Sequence, residues 1–299
     1  MEKNIYLIRT PSGKDALLVK GLGNYSLSDT LECGQCFRFD RIDGEYETEY
    51  FLMANNHPLH VAQEKKGELI FYGAREEDYD EYLCRYFSLD LDWEKINEKI
   101  KNSHKSEVMQ KAATLSSGIA ILRQDVWETL ISFIISQNNN IPRIKKNIKS
   151  ICAIYGEKTN GKFCEDCENC GRCYTFPTPE ALLSNPDLLD GAKLGFRKRY
   201  ILDAAEKVVS GEVDLCEIAY PCDFETAQKI LFRICGVGAK VSSCILLFGG
   251  GHLGAFPIDV WMKRAIDEYF GGELDHTVFG EYAGVAQQYI FHYARNIEK

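Results

Sequence analysis

The chain has 299 residues, of which 45% are hydrophobic and 26% are charged, a composition that is typical of a folded globular protein. It excludes a disordered chain, a collagen-like chain and a small disulfide scaffold, and the length predicts about two domains. No apolar run approaches the roughly 20 residues that a membrane helix needs. Because the N-terminus lacks a basic segment followed by an apolar stretch, we expect a cytoplasmic protein with no membrane partner.

The charge of the chain is uneven. The net charge is −9, yet residues 101–200 carry 15 Lys and Arg against 10 Asp and Glu. A basic segment in an acidic chain is compatible with one local site for an anionic ligand, since the potential near a groove depends on local charge. The charge by itself leaves a solvated basic surface as the alternative.

The first 75 residues contain short apolar or alternating runs separated by turn signals, a pattern that predicts an antiparallel sheet. The predicted strands are Ile5–Ile8, Ala16–Val19, Cys36–Ile42, Tyr50–Met53, Leu59–Ala62 and Leu69–Tyr72.

From about residue 76 the apolar residues recur at three- and four-residue spacing, which predicts helices. The predicted helices are residues 76–87, 92–101, 125–136, 141–155, 197–210, 223–234, 239–248, 257–270 and 278–294. Strands followed by a run of helices indicate an α+β protein. We expect a β-rich N-terminal domain over residues 1–110 and a helical region over residues 111–299.

The most informative stretch is Ile230–Ile245, in which one predicted helix ends and another begins across Gly236-Val237-Gly238. Glycines allow a positive φ and a close approach of two backbones. The free N–H groups at the start of the second helix can hold a phosphate. This is the physical basis of a helix–hairpin–helix element, which binds the DNA backbone without reading its sequence; a plain turn is the alternative.

Lys240 lies in the first turn of the second helix, where the helix dipole disfavours a positive charge. That field makes its amine a candidate nucleophile. Asp259 follows nineteen residues later, next to a predicted helix start. An N-cap is the alternative interpretation of this aspartate.

Together these residues resemble the helix–hairpin–helix/Gly-Pro-Asp superfamily of DNA glycosylases, and within it the 8-oxoguanine DNA glycosylase family. The matching blocks follow the family's order along the chain. They are GQCFR (34–38), GIAILRQDVWE (118–128), QNNNIPRI (137–144), LGFRKRY (194–200) and AQQYIF (286–291), together with Pro257 and Asp259 of the superfamily signature.

The resemblance implies an enzyme that takes a damaged guanine out of the duplex. Lys240 would attack the sugar C1′, form a Schiff base and allow β-elimination, while Asp259 would stabilise the developing positive charge. The Gly34 carbonyl would accept a hydrogen bond from N7–H of 8-oxoguanine. Gln287 would read the Watson–Crick edge, and Cys244 and Phe291 would cover the two faces of the base.

The resemblance also implies contacts with the opposite strand and the DNA backbone. Phe196 takes the position of an intercalating wedge, which needs only a flat apolar face. Trp261 stands where animal members carry a phosphate-binding His, so it can donate one hydrogen bond but brings no charge. The full set of expected DNA contacts is Asn138, Asn140, Arg143, Phe196, Arg197, Gly236, Gly238 and Trp261.

A cysteine-rich insertion at about residues 157–174 is absent from the family pattern. Two residues separate each of its cysteines from the next, a spacing that suits a four-sulfur zinc site or an iron–sulfur cluster. A reduced thiol loop without metal is the alternative. The candidate ligands of a structural zinc are Cys164, Cys167, Cys170 and Cys173.

Three functions follow as hypotheses. The first is a bifunctional 8-oxoguanine glycosylase and abasic-site lyase that acts on damaged double-stranded DNA opposite cytosine, as a monomer, on the nucleoid DNA of a prokaryotic-type cell, with no cofactor needed for catalysis. The second is a glycosylase for another damaged base, such as alkylated purines, which would lack the lysine. The third is a DNA-binding or thiol-sensing module without catalysis. Lys240 distinguishes the first from the second, and Lys240 with Asp259 disfavours the third.

Overall fold

The computed structural model describes residues 4–159 and 173–297. Six strands form one antiparallel sheet in the order β1-β2-β6-β5-β4-β3. The strands are β1 (Asn4–Arg9), β2 (Asp15–Lys20), β3 (Phe39–Arg41), β4 (Thr48–Ala54), β5 (His57–Gln63) and β6 (Leu69–Tyr72). The remainder of the described chain is predominantly helical, so the predicted α+β class is confirmed.

The α-helices begin with a short helix between the second and third strands and then dominate from residue 76 onward. They are α1 (Leu27–Glu32), α2 (Glu76–Asp78), α3 (Cys84–Tyr86), α4 (Trp93–Ser103), α5 (Glu107–Leu115), α6 (Val126–Ser136), α7 (Ile141–Tyr155), α8 (Pro179–Ser184), α9 (Arg197–Val209), α10 (Phe224–Leu231), α11 (Ala239–Phe248), α12 (Val260–Phe270) and α13 (Ala283–Ile297). A π-helical turn, Tyr79–Leu83, joins α2 to α3, and 3₁₀ turns lie at Pro186–Ala192, Leu215–Ile218 and His276–Tyr282.

The predicted strand Cys36–Ile42 is largely wrong, because only Phe39–Arg41 is extended and paired. The residues before it follow a different path, since Gly34 has a φ of +94° and the Gln35 side chain bonds to backbone groups outside the sheet. Alternation of apolar residues therefore reflected burial here rather than strand pairing.

Three short helices were not predicted: α1, α5 and α8. Each begins at a Ser or Thr whose hydroxyl accepts a backbone N–H of its first turn, but none is long enough to show a clear helical period. The predicted helix 257–270 starts later, at Val260, because the Asp259 carboxylate accepts the Met262 N–H at 2.7 Å and caps it. The predicted helix 278–294 is a 3₁₀ turn followed by α13.

One hydrophobic cluster connects the sheet with the helices. It contains the inner face of the sheet, including Leu17, Tyr50 and Phe71, together with buried residues of the helical region such as Ile134 and Leu246. The predicted boundary at residue 110 lies inside α5, which packs against α13. The division into two domains stays a prediction. Within the described residues, no helix combines the length and the apolar character needed to cross a membrane.

Candidate active site

The glycine hairpin between α10 and α11 has the geometry that the sequence predicts. Gly236 has a φ of +81°, and a Cβ atom at this position would lie 2.4 Å from the Tyr200 ring. Gly238 is the N-cap of α11 with a φ of −101°, and a Cβ there would meet no atom within 4 Å. The fold therefore requires glycine at Gly236, whereas Gly238 leaves the start of α11 open to a ligand.

Lys240 lies in the first turn of α11 and is half-buried. Its Nζ lies 5.3 Å from the centroid of the Phe133 ring, a distance at which the ring attracts a cation. Phe133 stacks on Phe248 at 5.4 Å and meets the edge of Phe37 at 5.7 Å. Since Phe37 belongs to the GQCFR segment, these rings bring that segment close to the lysine.

Cys244 and Asp259 belong to the same site as Lys240. Burial raises the pKa of the Cys244 thiol to about 11, the nearby Lys240 cation and its hydrogen bond oppose this rise, and the Asp259 charge adds to it. Asp259 is half-buried, and its Oδ1 caps α12. The N-cap interpretation is therefore correct as structure, and it holds the carboxylate near the lysine and the thiol.

The segment that carries Gly34 is fixed by a buried glutamine. The Gln35 amide donates to the carbonyl oxygens of Thr30 and Ala120, at 2.7 and 2.8 Å, and accepts the Leu122 N–H at 2.8 Å. These bonds hold the Gly34 carbonyl in a constant place relative to the core. A Cβ at Gly34 would meet no atom within 4 Å, so its positive φ is the reason for glycine here.

Arg38, the last residue of the GQCFR block, joins this block to the GIAILRQDVWE block. Arg38 Nη1 forms an ion pair with Glu128 Oε2 at 2.9 Å, and both side chains are largely buried. Because Glu128 ends the GIAILRQDVWE block, the pair ties the segment to α6, which also carries Phe133. The GQCFR and GIAILRQDVWE blocks are therefore joined by an ion pair next to α6, the helix that places Phe133 beside Lys240.

The two residues expected to read the base lie on α13. Gln287 is buried, whereas Phe291 is half-buried and lies under the guanidinium of Arg295 at 5.5 Å. The helix packs against α11 at Gly284, where a Cβ would lie 2.6 Å from Leu247. Leu247 follows Cys244 by three residues on α11, and Gln287 follows Gly284 by three residues on α13. The candidate base contacts Cys244 and Gln287 therefore lie on two helices that pack together.

The residues expected to face the opposite strand form a second cluster, which we call the opposite-strand loop and define as residues 137–143 with 195–197. Asn138 has a φ of +48°. The buried Arg197 guanidinium donates to the carbonyl oxygens of Gln137, Asn138 and Leu194. Burial lowers the pKa of Arg197, and the nearby Arg143 charge lowers it further.

Two other members of this loop, Asn140 and Arg143, are both exposed. Asn140 is the N-cap of α7, and its Oδ1 accepts the Arg143 N–H at 3.0 Å. The structure thus brings Asn138, Arg143 and Arg197 together, but it commits Arg197 and the Asn140 oxygen to bonds within the protein.

Two large apolar side chains among the expected DNA contacts, Phe196 and Trp261, are exposed. Phe196 is 45% exposed and precedes α9, and Trp261 is 50% exposed in the first turn of α12. The Arg264 guanidinium lies 5.3 Å from the Trp261 ring, so a cation accompanies the indole that stands in the expected phosphate-binding position.

Four residues of the site were missed by the sequence analysis. Phe133 lies in an apolar run of α6, and Tyr200 and Gln288 lie inside blocks whose other members were assigned roles. Asp203 accepts the Cys235 N–H at 2.6 Å and so supports the hairpin. No local pattern marks these residues, because each acts through a contact with a residue on another element or with an adjacent side chain.

Cys164, Cys167 and Cys170 lie outside the described residues. Cys173 is buried and packs against Phe51 and Met53. Among the described residues, no cluster of three or more His, Cys, Asp or Glu side chains could hold a metal ion.

A lysine at the start of a helix after a glycine hairpin, beside a helix-capping aspartate, defines the helix–hairpin–helix class of DNA glycosylases. Residues 17–130 match the family model "8-oxoguanine DNA glycosylase, N-terminal domain". A solved structure of MBOgg1 with a low-affinity DNA ligand is 35% identical, covers 100% of both chains and has a TM-score of 0.86. The 8-oxoguanine glycosylase/lyase of Clostridium acetobutylicum, solved with DNA containing cytosine opposite 8-oxoguanine, is 31% identical over 99% of both chains, with a TM-score of 0.84.

A curated relative, the N-glycosylase/DNA lyase of Saccharomyces cerevisiae, is 29% identical over 259 residues. The match covers 80% of this chain and 66% of the yeast protein, so the chain spans just under two thirds of that relative's length. This chain belongs to the 8-oxoguanine DNA glycosylase family.

Proposed function

We propose that the protein is a bifunctional DNA repair enzyme, which excises 8-oxoguanine opposite cytosine and then cleaves the strand as an abasic-site lyase. The observation that carries this proposal is the grouping of a half-buried Lys240 with Cys244 and Asp259 at the start of α11. A monofunctional glycosylase that activates water does not need an amine here, whereas a lyase requires one.

In the proposed reaction, the amine of Lys240 forms a bond to C1′ of the flipped nucleotide, while the bond from C1′ to the base breaks and the base leaves with the electron pair. The C1′–O4′ bond then opens as the amine and C1′ form a Schiff base, and β-elimination removes a proton from C2′ and the phosphate from C3′, which breaks the strand. The Asp259 carboxylate stabilises the positive charge that develops on the sugar. Because the pKa of Cys244 is raised to about 11, this thiol stays neutral and offers the base a polarisable face rather than a competing nucleophile.

Recognition of the lesion is proposed to rest on one backbone carbonyl. 8-Oxoguanine carries a proton on N7 where guanine carries a lone pair, so the carbonyl of Gly34 accepts a hydrogen bond only from the lesion. The rigid attachment of Gln35 to the backbone of Thr30 and Ala120 supports this role, because discrimination by one hydrogen bond needs a fixed acceptor. Gln287 reads the Watson–Crick edge, and Phe291 stacks on the base.

The proposed partner is damaged double-stranded DNA, held by the N–H groups at the start of α11 and by the opposite-strand loop. Phe196 fills the gap that the flipped base leaves, and its exposure supports this. We propose that the protein acts as a monomer on nucleoid DNA in the cytoplasm of a prokaryotic-type cell. Light scattering of the protein with and without a duplex tests the monomer.

Borohydride trapping on a duplex that contains 8-oxoguanine opposite cytosine tests the activity. The unaltered protein should release the base and form a covalent adduct, and Lys240→Gln should bind the duplex yet do neither. Lys263→Gln is the matched control, since Lys263 is an exposed lysine of α12. An adduct formed by Lys240→Gln would assign the chemistry to another amine, and no excision by the unaltered protein would refute the proposed function.

We also propose that Cys164, Cys167, Cys170 and Cys173 hold a structural zinc that catalysis does not need. The residues that flank the segment support this, because Lys158 and Tyr174 form an antiparallel bridge and the Thr159 N–H donates to the Cys173 carbonyl at 2.7 Å. A short closed segment with few apolar groups gains folding free energy from metal ligation.

Elemental analysis of protein purified without chelator should find about one zinc per chain. Replacing Cys167 and Cys170 with Ser should remove it and leave the borohydride adduct intact. Iron with visible absorption would indicate a cluster instead, and loss of the adduct would contradict the independence from catalysis.

A further inference from the structure

Two consecutive buried glutamines on α13 are joined by a hydrogen bond. Gln287 is 4% exposed and Gln288 is 5% exposed. Nε2 of Gln288 donates to Oε1 of Gln287 at 2.7 Å. Oε1 of Gln288 is buried and has no hydrogen-bond partner among the described residues. The orientation of this second amide is therefore held by its bond to Gln287.

The bond also determines which way the Gln287 amide faces. A glutamine amide presents an acceptor on one side and two donor protons on the other, and a half-turn exchanges them. If the Gln287 amide alone turned, its amino group would face the Gln288 amino group, and a buried hydrogen bond would be replaced by two opposed donors. Gln287 is thus held with Oε1 toward Gln288, and it keeps one lone pair of Oε1 and its Nε2 protons for a ligand.

The reverse arrangement, in which both amides are turned, is also disfavoured. It would place the Gln288 amino group at the buried position where Oε1 now lies, and no described residue bonds to that position. The oxygen has two lone pairs and the amino group has two protons, but an unpaired buried N–H is tolerated less often than an under-satisfied C=O. The reverse arrangement would therefore leave the less tolerated group unpaired.

An amide held in one orientation distinguishes two classes of purine. A 6-oxopurine presents an acceptor at O6 next to a donor at N1–H, whereas a 6-aminopurine presents a donor at N6 next to an acceptor at N1. An amide that turns freely complements both edges. An amide held in one orientation complements only one of these edges. Against the other edge, its donor faces a donor and its acceptor faces an acceptor.

From this geometry we infer that Gln288 is a positioning residue, which fixes the Gln287 amide in the orientation that selects 6-oxopurine lesions over 6-aminopurine lesions. The inference rests on the proposed function, in which Gln287 faces the Watson–Crick edge of the flipped base. It assigns Gln288 a role in specificity without any contact between Gln288 and the base.

The test uses lesions that Gly34 cannot tell apart. 8-Oxoguanine, 8-oxohypoxanthine and 8-oxoadenine all carry N7–H and an 8-oxo group, and the last two differ only at position 6 and N1. Each is placed opposite cytosine in the same duplex, and single-turnover excision rates are measured. The readout is the ratio of the 8-oxohypoxanthine rate to the 8-oxoadenine rate, which a general loss of stability does not change.

Two variants of Gln288 move this ratio by different amounts. Gln288→Met keeps the length of the side chain but removes the donor, so the Gln287 amide turns freely and the ratio should fall about tenfold, the scale of one misplaced hydrogen bond. Gln288→Glu replaces the donor by an acceptor, which attracts the Gln287 amino group, so the ratio should fall further. Gln63→Met is the control, since Gln63 is a buried amide of β5 that donates to the Tyr25 and Glu68 carbonyls, and its ratio should match the unaltered protein.

Unchanged ratios in both Gln288 variants would overturn the inference. A ratio below that of the unaltered protein in Gln63→Met as well would assign the effect to loss of packing and would also overturn it. If the unaltered protein excises none of the three lesions, the proposed function fails instead, and this outcome is distinct because it appears before any variant is made.

Discussion

The glycine hairpin between α10 and α11 and the opposite-strand loop both carry cations in family-like segments, but the two cations have different surroundings. In the hairpin, Lys240 lies in the first turn of α11, near the Phe133 ring and hydrogen-bonded with the Cys244 thiol. In the loop, Arg197 is buried and bonded to three backbone carbonyls, while Arg143 beside it is exposed. A cation in a family-like block can therefore serve the ligand or the fold.

This difference changes what the loop contributes before DNA arrives. The Arg197 bonds fix the carbonyls of Gln137 and Asn138, and so they shape a turn in which Asn138 has a positive φ. Arg143 is exposed, so its charge is available to a ligand. The loop is thus preorganised by one arginine and charged by the other, whereas the hairpin depends on glycine conformation.

The largest effect on stability should come from replacing Arg197, and replacing Arg143 should have almost none. Arg197→Ala removes a buried guanidinium that donates to the carbonyl oxygens of Gln137, Asn138 and Leu194, and it should lower the free energy of unfolding by about 3 kcal/mol. Arg143→Ala removes an exposed charge and should stay within about 0.5 kcal/mol of the unaltered protein, yet weaken binding to the lesion duplex. Denaturant unfolding and duplex titration of both variants check this. Equal stability of the two variants would remove the distinction between them.

A second test distinguishes, within the hairpin, a glycine that the fold requires from one that leaves room for a ligand. Gly236→Ala forces a side chain into a positive φ and against the Tyr200 ring, so it should cost about 2 kcal/mol of stability. Gly238→Ala adds a methyl group to open space at an N-cap and should cost under about 1 kcal/mol. Because α11 starts there, Gly238→Ala should still weaken duplex binding. Thermal unfolding and binding isotherms measure the two effects, and a destabilised Gly238→Ala would show that this glycine also serves the fold.

The smallest effect concerns the thiol beside Lys240. Cys244 ionises near pH 9.0 in the unfolded chain and near pH 11 in the folded protein. Its contribution to stability is therefore complete below pH 9 and is lost as the pH rises toward 11, by about 1 kcal/mol at pH 10. Cys244→Ala should flatten the decline of stability between pH 9 and 10, whereas Cys216→Ala, at an exposed cysteine, should not. Identical slopes for the two variants would mean that Cys244 is not insulated from water as the site requires.

Much of the site could be predicted from the sequence because its signals are local. The turn Gly236-Val237-Gly238, the lysine that follows it and the helix cap at Asp259 lie within short segments whose backbone conformation follows from residue type. The long helices and five of the six strands follow from the period of their apolar residues. The family-like blocks added the residues that approach the site from elsewhere, such as Gly34 and Gln287.

Contacts between distant segments decided the rest. The residues before β3 leave the sheet because the Gln35 side chain bonds to the backbone of Thr30 and Ala120. The turn at Asn138 depends on an arginine that lies 59 residues later in the chain. The Gln287 amide is oriented by the neighbouring Gln288, but only burial by the packed helices makes that bond decisive, since water would compete for it on an open surface. Sequence thus determined which residues are proposed to carry the chemistry, and tertiary packing decided which of their polar groups remain available to a ligand.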